Sequence, residues 1–367
     1  MLPNEIALNL INEYIVKFKN KQDFENNSLE NLKEELINKL INNNMLIKTE
    51  DGTYTMISED SQEMMHSKIG ALREGVEKFV IPSNLENEEL PKILDLCSGM
   101  GYNSIASLRY NKNCKIDMVE YSKETLFLSL CLDIPFKEHE IIKEAIKTHL
   151  MSDGNNNNNN NNTKNKNINI YEGDARQILI DLKKSNKKYN IVFHDGFSPQ
   201  RDSVLYTVDF LKNIYDLMED GGILLSYSSS IPFRSGLIEA GFIISEGEAI
   251  GRKRGITIAY KNPKKIRSSN DSLENKKLKR ISEIDERVIA LSTVGAPYRD
   301  PNFNLCHEEI IKNREIERNN LKENLLKKGI YYSTRRIKLG KIPEIYLEIQ
   351  KENLNSTEII KKMRNIS

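Results

Sequence analysis

Four acidic residues stand at, or just beyond, the ends of short apolar segments in the middle of the chain. They are Asp95, Glu120, Asp174 and Asp195. A glycine turn, Ser-Gly-Met-Gly at 98–101, follows the first segment. Glycine lets the backbone approach a ligand without a β-carbon in the way, and a carboxylate that ends a strand can accept hydrogen bonds from ribose hydroxyls. The pattern therefore predicts a site for a cofactor that contains a nucleoside.

The glycine turn differs from the fingerprint of dinucleotide-binding proteins. Asp95-x-Cys97-x-Gly99-x-Gly101 has only two glycines, and its spacing departs from GxGxxG, which binds a pyrophosphate. A cofactor without phosphate that carries an amino-acid tail fits this turn better, so we predict S-adenosylmethionine. We interpret Cys97 as a small packed side chain rather than as a nucleophile.

Short apolar strands that alternate with helices must hold these residues. Strands are predicted over 93–97, 115–120, 168–173, 190–195 and 222–227, with an antiparallel pair, 242–244 and 256–260, at the edge. Such alternation predicts an α/β fold with a Rossmann-like, doubly wound sheet, in which ligands bind at the carboxyl ends of the strands. His194 lies inside one of these strands, and we interpret it as a core residue rather than a base.

The N-terminal region has a different pattern. Helical periodicity covers residues 1–48, and Asp51-Gly52 then marks the turn of a hairpin. Residues 61–81 are predicted to be helical up to Pro82. We expect 1–58 to form a small helical and hairpin segment.

Two further regions flank or interrupt the strands. Eight consecutive asparagines, 155–162, cannot pack a core, so a disordered insertion is predicted over 152–167. A C-terminal extension, 262–367, contains a charged helix at about 305–328. The domain between 59 and 261 carries all of the strands of the sheet and the acidic residues.

Composition excludes several classes of protein. With 38% apolar and 29% charged residues and a net charge of +1, the chain is globular, neither collagen-like nor wholly disordered. No apolar run approaches the roughly 18 residues that a membrane span needs, and the N-terminus lacks the layout of a signal peptide. Four widely spaced cysteines and five histidines show no disulfide or metal-ligand spacing. We expect a cytoplasmic protein without a metal.

Positive charge is concentrated in one stretch. Residues 251–280 hold eleven Lys or Arg against two acids, a net charge of +9. A flexible, solvated linker and a surface that contacts phosphates are both consistent with this composition.

The segment after the fourth strand is the most specific feature of the sequence. It reads His194-Asp195-Gly196-Phe197-Ser198-Pro199. Further motifs follow in order at 205–211 (LYTVDFL), 220–224 (DGGIL), 226–229 (SYSS), 233–237 (FRSGL), 240–242 (AGF) and 251–254 (GRKR). With Glu63-Met64-Met65-His66-Ser67, Gly70-Ala71 and Glu74 upstream, they resemble the MnmC methyltransferase family from about residue 59 to 261.

The resemblance implies a class I S-adenosylmethionine-dependent methyltransferase that completes a wobble-uridine modification in tRNA, converting 5-aminomethyl- to 5-methylaminomethyl-(2-thio)uridine. It implies cofactor-binding residues: His66, Glu74, Asp95, Gly99, Gly101, Glu120, Asp174 and Asp195. Asp195 would also be catalytic, facing the acceptor amine. Substrate-binding residues would be Phe197, Ser198, Pro199, Tyr227, Arg252, Lys253 and Arg254.

The resemblance also implies partners. The tRNA anticodon arm would be the substrate, held in part by the basic stretch. Nothing in these residues reads as a second GxGxxG unit of the kind that the oxidoreductase domain of bifunctional relatives contains. We therefore expect other wobble-uridine enzymes to make the aminomethyl group first.

Two alternatives stay open from the sequence. An aminopropyltransferase resembling spermidine synthase would share the sheet and the strand-end acids, although Arg201 disfavours a polyamine. A non-catalytic sensor would use the N-terminal helices and hairpin as a winged-helix-like module that binds nucleic acid.

Overall fold

The computed structural model describes residues 4–19, 26–57, 64–151, 167–249, 254–263 and 278–366. The chain divides into two compact units, Met1–Ala175 and Arg176–Ser367. No helix in these described ranges is long and apolar enough to cross a membrane. The asparagine run, Arg252, Lys253 and most of the basic stretch lie outside the described residues.

The first unit begins with helices and a hairpin and continues with three strands of the main sheet. Its elements are α1 (Glu5–Lys19), α2 (Asn26–Asn42), β1 (Leu46–Lys48), β2 (Tyr54–Met56), α3 (Ala71–Gly75), β3 (Lys92–Leu96), α4 (Tyr102–Tyr110), β4 (Lys115–Glu120), α5 (Lys123–Cys131), α6 (His139–Met151) and β5 (Ile168–Glu172). β1 and β2 pair antiparallel, while β3 pairs with β4 and β4 with β5 in parallel.

The second unit holds the other four strands of the sheet and the C-terminal helices. Its elements are α7 (Ala175–Lys184), β6 (Tyr189–His194), α8 (Val208–Leu217), β7 (Met218–Ser226), α9 (Ile231–Ala240), β8 (Ile243–Glu246), β9 (Thr257–Tyr260), α10 (Glu283–Leu291), α11 (His307–Lys327), α12 (Thr334–Lys338), α13 (Glu344–Lys351) and α14 (Ser356–Ile366).

Seven strands form one mixed sheet in the order β5-β4-β3-β6-β7-β9-β8. β6 and β7 are parallel, and β9 pairs antiparallel with both β7 and β8. The predicted α/β fold, Rossmann-like and doubly wound, is confirmed, including the antiparallel pair at one edge. Ile93, Leu94 and Leu96 of β3 are all buried, as expected for a parallel strand that helices cover on both faces.

One helix prediction was partly wrong. Residues 64–70 are not helical, and α3 begins only at Ala71, continuing as a π-helical turn over Val76–Val80. The reason is that this segment pairs with β2: the N–H of Met65 donates to the carbonyl of Met56 at 3.0 Å. Gly70, with φ +142°, then turns the chain into α3. The helical run ends before Pro82, as predicted.

The C-terminal extension is part of the second unit and packs on the strands and helices of that unit through polar contacts as well as apolar ones. The N–H of Ile244 in β8 donates to the hydroxyl of Thr357 in α14 at 2.9 Å. Arg234 of α9 is completely buried and donates to Asp285 of α10 and to Glu246 of β8. The charged helix predicted at about 305–328 is α11. The predicted domain limits at 58 and 261 stay predictions.

Candidate cofactor site and acceptor-side segment

The turn after β3 adopts a backbone that few side chains tolerate. Cys97, Gly99 and Gly101 all have positive φ, at +59°, +56° and +83°. A β-carbon on Gly101 would lie 3.0 Å from Ile142 and 3.2 Å from Met118, closer than ordinary contact, so packing as well as backbone conformation requires glycine there. The turn leads directly into α4, whose N-cap is Gly101.

Glu120 organises the turn from the end of the neighbouring strand. Its Oε2 accepts the N–H of Gly99 at 2.8 Å, and its Oε1 accepts the N–H of Ser122 at 2.9 Å. Burial raises the pKa of Glu120, while these two amide donors act in the opposite direction. The carboxylate thus fixes both the glycine turn and the start of the segment that leads into α5.

Backbone hydrogen bonds gather the ends of β3, β4 and β5. The N–H of Ser98 donates to the carbonyl of Val119 at 3.1 Å, and the N–H of Gly173 donates to the carbonyl of Glu120 at 2.9 Å. Asp174 follows Gly173 and is half-buried. The structure therefore brings Gly99, Glu120 and the segment bearing Asp174 together, as the sequence predicted from strand ends.

Asp95 faces helix α4 rather than the surface. Its side chain is completely buried, and its Oδ2 accepts the hydroxyl of Ser104 at 2.6 Å. This contact ties β3 to the helix that follows the turn. A direct contact between Asp95 and a cofactor stays a prediction. The hydrogen bond that is observed, with Ser104, stabilises the connection from β3 through the turn to α4.

His66 lies on the segment that pairs with the hairpin. Its N–H donates to the hydroxyl of Thr55 at 2.9 Å, and its ring meets the ring of Tyr102 edge-on at 5.4 Å. Burial lowers the pKa of His66 to about 4, so the imidazole is neutral at pH 7. The neighbouring Met65 side chain lies against the turn, 3.7 Å from where a β-carbon of residue 99 would be.

Glu74 is held in place by two donors. Its Oε1 accepts the N–H of Ser67 at 3.0 Å, and its Oε2 accepts the ammonium group of Lys78 at 2.7 Å. Burial acts to raise the pKa of Glu74, but the hydrogen bonds from Lys78 and Ser67 outweigh it and lower the pKa. Glu74 is therefore a carboxylate at neutral pH and fixes the backbone next to His66.

Two buried polar atoms around the turn have no partner within the described part of the chain. They are Nδ1 of His66 and Oγ of Ser98. Buried polar groups are nearly always hydrogen-bonded in native proteins, so these atoms fit a bound ligand with polar groups of its own. A cofactor with an amino-acid tail and ribose hydroxyls has such groups.

The segment that contains Asp195 lies in the second unit, directly after β6. Tyr206, which is buried, donates its hydroxyl to the carbonyls of Gly196 and Phe197 at 3.2 and 2.7 Å. The carbonyl of Ser198 accepts the N–H of Arg201 at 2.8 Å. Asp195 and Phe197 are half-buried and Pro199 is buried. The loop is therefore a fixed turn.

His194 is a core residue, as predicted. Only 1% of it is exposed, its ring stacks on Phe233 at 5.3 Å, and Nε2 lies 2.8 Å from the carbonyl of Leu205. Burial lowers the pKa of His194. With its ring enclosed by aromatic neighbours, it has no access to a substrate.

Of the other predicted substrate-binding residues, Tyr227 and Arg254 are among the described residues, and both belong to the second unit. Tyr227 is half-buried just after β7. Arg254 donates to Asp285 at 2.9 Å, with 47% of its side chain exposed. Sequence reasoning missed this ion pair, because the acid is 31 residues away. It also missed the support that Tyr206 gives to the loop, although Tyr206 lies within the LYTVDFL motif at 205–211.

Comparison with known proteins agrees with this architecture. Residues 136–262 match the family model described as S-adenosyl-L-methionine-dependent methyltransferase. The uncharacterized protein MJ0670 of Methanocaldococcus jannaschii is 54% identical over 364 residues, which cover 99% of this chain and 96% of that protein. The crystal structure of MNMC2 from Aquifex aeolicus superposes with a TM-score of 0.58 at 24% identity, covering 86% of this chain and 99% of that one.

The fold, the glycine turn and these matches define an S-adenosyl-L-methionine-dependent methyltransferase, and S-adenosyl-L-methionine is its cofactor. The chain belongs to the same family as the uncharacterized protein MJ0670 of M. jannaschii.

Proposed function

We propose that this methyltransferase acts on tRNA and methylates the amino nitrogen of 5-aminomethyl-(2-thio)uridine at the wobble position. The observation that carries the proposal is the Asp-Gly-Phe-Ser-Pro segment at 195–199, which directly follows β6 and which Tyr206 fixes. Its sequence, with the motifs that follow it, is the most specific part of the resemblance to the MnmC family. The similarity in fold to MNMC2 from A. aeolicus supports the same choice.

The residues around the glycine turn are those proposed to hold the cofactor. A carboxylate has about four lone-pair sites, and the amides of Gly99 and Ser122 occupy two of those on Glu120. The remaining sites suit the two ribose hydroxyls. Asp174 is proposed to accept the exocyclic amine of adenine, and the turn itself to hold the methionine part. When bound, the cofactor supplies a methyl group on an electrophilic sulfonium.

A neutral His66 suits a cationic cofactor. Because its pKa is about 4, the imidazole adds no positive charge beside the sulfonium at pH 7. Its buried Nδ1 can instead form a hydrogen bond with the cofactor. Glu74 is proposed to act near it at the cofactor entrance, where Lys78 and Ser67 fix its position.

The acceptor nitrogen must present a lone pair. An alkylamine has a reference pKa of about 10.4, so holding it neutral at pH 7 costs up to about 4.6 kcal/mol. Asp195 is proposed to take its proton or to align the nitrogen as a hydrogen-bond acceptor. The ring of Phe197 would exclude water from the amine and thereby favour its neutral form.

The proposal includes the partners expected from the sequence. The wobble base must leave the anticodon stack to reach a methyltransferase site, and the aminomethyl group must already be present on it. We propose that Arg252, Lys253, Arg254 and the rest of the basic stretch contact the anticodon arm, although only Arg254 of the three is among the described residues. Enzymes that build the aminomethyl group act before this one.

Mass spectrometry of wobble nucleosides tests the proposal. The purified protein is incubated with methyl-labelled S-adenosylmethionine and tRNA from cells that lack the protein. Labelled 5-methylaminomethyl-(2-thio)uridine is the expected product. If label enters no tRNA nucleoside, while decarboxylated S-adenosylmethionine and putrescine give spermidine, the aminopropyltransferase alternative replaces this one.

A further inference from the structure

Seven basic side chains form an exposed patch at the end of α11 and around α12. They are Lys322, Lys327, Lys328, Arg335, Arg336, Lys338 and Lys341, here called the C-terminal basic patch. Glu323 is the one acidic residue between positions 322 and 341, so the net charge is +6. None of the residues of the patch makes an ion pair within 4.0 Å in the described part of the chain.

This absence of ion pairs contrasts with the rest of the C-terminal extension. Arg318, Lys351 and Lys362 lie on either side of the patch in the sequence, and each forms an ion pair with a glutamate at 2.5–2.6 Å. Several cations on these helices are thus neutralised by glutamates of the chain itself. The C-terminal basic patch instead leaves a concentrated positive charge for a partner outside the chain.

Two tyrosines lie among the cations. The ammonium group of Lys322 lies 5.7 Å from the ring centre of Tyr331, and the guanidinium of Arg336 lies 5.6 Å from that of Tyr332. Tyr332 also meets the buried Tyr346 at 6.4 Å. Both Tyr331 and Tyr332 are half-buried, and the ring of Tyr332 is supported by that of Tyr346. Alternating aromatic and basic groups of this kind suit unstacked bases and phosphates.

The scaffold beneath the patch is rigid. Ile337 is completely buried, and its carbonyl accepts the guanidinium of Arg287 at 3.2 Å. The hydroxyl of Thr334 lies 2.8 Å from that of Ser292. The basic side chains therefore project from a fixed turn, which differs from a solvated, flexible charge run.

We propose that the C-terminal basic patch is a second RNA contact, binding phosphates through its cations and a splayed base against Tyr332. The proposal rests on tRNA being the substrate, and it assigns part of the binding to residues outside the 251–280 stretch. The combination of tyrosine rings and arginines favours RNA over a membrane, since α12 has only five residues and presents no long amphipathic face.

The test compares the triple variant Arg335→Ala, Arg336→Ala, Lys341→Ala with a charge-matched control. The control, Lys112→Ala, Lys115→Ala, Lys137→Ala, removes three exposed cations from the first unit. Binding of tRNA is followed by fluorescence anisotropy at several salt concentrations, with methyl transfer measured in parallel. We expect the patch variant to bind at least about tenfold more weakly, with a salt slope lower by about 2 to 3.

Steady-state kinetics and two substitutions of Tyr332 test the proposal further. KM for tRNA should rise in the patch variant, while kcat and the affinity for S-adenosylmethionine stay at wild-type values. Tyr332→Leu should weaken binding without changing the salt slope, and Tyr332→Phe should bind as wild type, because the ring is kept.

Failure of this inference and failure of the proposed function give different results. If wild type methylates tRNA and the patch variant has the same KM and salt slope, the patch is not an RNA contact. The patch is likewise not an RNA contact if the patch variant keeps wild-type affinity for tRNA and only binds anionic phospholipid vesicles more weakly. If wild type itself neither binds nor methylates tRNA, the proposed function is wrong, and the patch assignment is wrong with it.

Discussion

The amide of Gly99 donates a 2.8 Å hydrogen bond to the carboxylate of Glu120. The two residues are 21 positions apart: Gly99 follows β3, whereas Glu120 is the last residue of β4. One side chain therefore couples the shape of the glycine turn to the residue proposed to bind ribose. Replacing Glu120 by Ala removes both the hydrogen bond to the glycine turn and the proposed contact with ribose. We expect at least about a tenfold loss of S-adenosylmethionine affinity, because a hydrogen bond to a charged group contributes roughly 1.5–3 kcal/mol. Calorimetric titration measures it.

The matched control for that variant is Glu144→Gln. Glu144 is exposed on α6, so its loss of charge should leave cofactor binding unchanged. Equal affinities for wild type and Glu120→Ala would contradict the assignment of Glu120.

Substitutions of Gly101 and Gly340 distinguish the cost of close packing from the cost of backbone strain. Both have positive φ, at +83° and +69°, but only at Gly101 would a β-carbon meet close neighbours. Gly340→Ala should cost about 1 kcal/mol, the ordinary penalty for that conformation. Gly101→Ala should cost clearly more and also weaken cofactor binding. Urea denaturation of both variants measures the difference; identical losses would mean that the turn relaxes.

Asp195 is expected to act in the chemical step. Asp195→Asn keeps the size of the side chain but removes its capacity to take a proton. We expect kcat to fall by about 10²–10⁴, with the affinity for S-adenosylmethionine reduced far less. Asp216→Asn, at an exposed ion pair with Lys183, is the control. A variant at 195 with wild-type kcat would remove this residue from the mechanism.

Arg234 and Arg254 share Asp285 but differ in burial. Arg234→Met leaves Asp285 and Glu246 without their buried cation, so we expect a loss of about 3–5 kcal/mol in unfolding free energy. Arg254 is 47% exposed, and Arg254→Ala should cost no more than about 1 kcal/mol. Thermal denaturation of the two variants measures these losses, and Arg234→Met should have the lower melting temperature. A rise in KM for tRNA in Arg254→Ala, at unchanged stability, would support its proposed RNA contact.

The stability of the protein should fall in mild acid. Burial lowers the pKa of both His66 and His139 to about 4, whereas in the unfolded chain these groups titrate near 6.5. Unfolding therefore takes up protons between these values. Stability is full above pH 6.5 and is lost as the pH falls toward 4, by up to about 3 kcal/mol for each histidine.

His139→Gln tests this pH dependence. Glutamine can keep a contact to Ser129, whose hydroxyl lies 3.2 Å from Nε2 of His139, but it does not titrate. Part of the loss between pH 6.5 and 4 should disappear in this variant. The measurement is the melting temperature across that pH range. If its dependence on pH were the same in the variant as in wild type, His139 would be accessible to protons in the folded state.

Much of the fold followed from local pattern. Strand ends, the hairpin turn and the antiparallel edge pair were predicted because hydrophobic periodicity and turn residues act over a few positions. The segment 64–70 was predicted wrongly, since helical periodicity does not record its hydrogen bonds to the hairpin. Hydrogen bonds to Met56 and Thr55 fix its conformation.

The candidate site shows the same division. The sequence by itself determined which residues stand at strand ends and which glycines the turn needs, because those depend on residue type and spacing. Only the tertiary structure decided that Glu120 holds Gly99, that Asp95 faces Ser104, and that Arg254 pairs with Asp285. Hydrogen bonds and ion pairs join atoms far apart in the chain, and their geometry exists only once the backbone has folded.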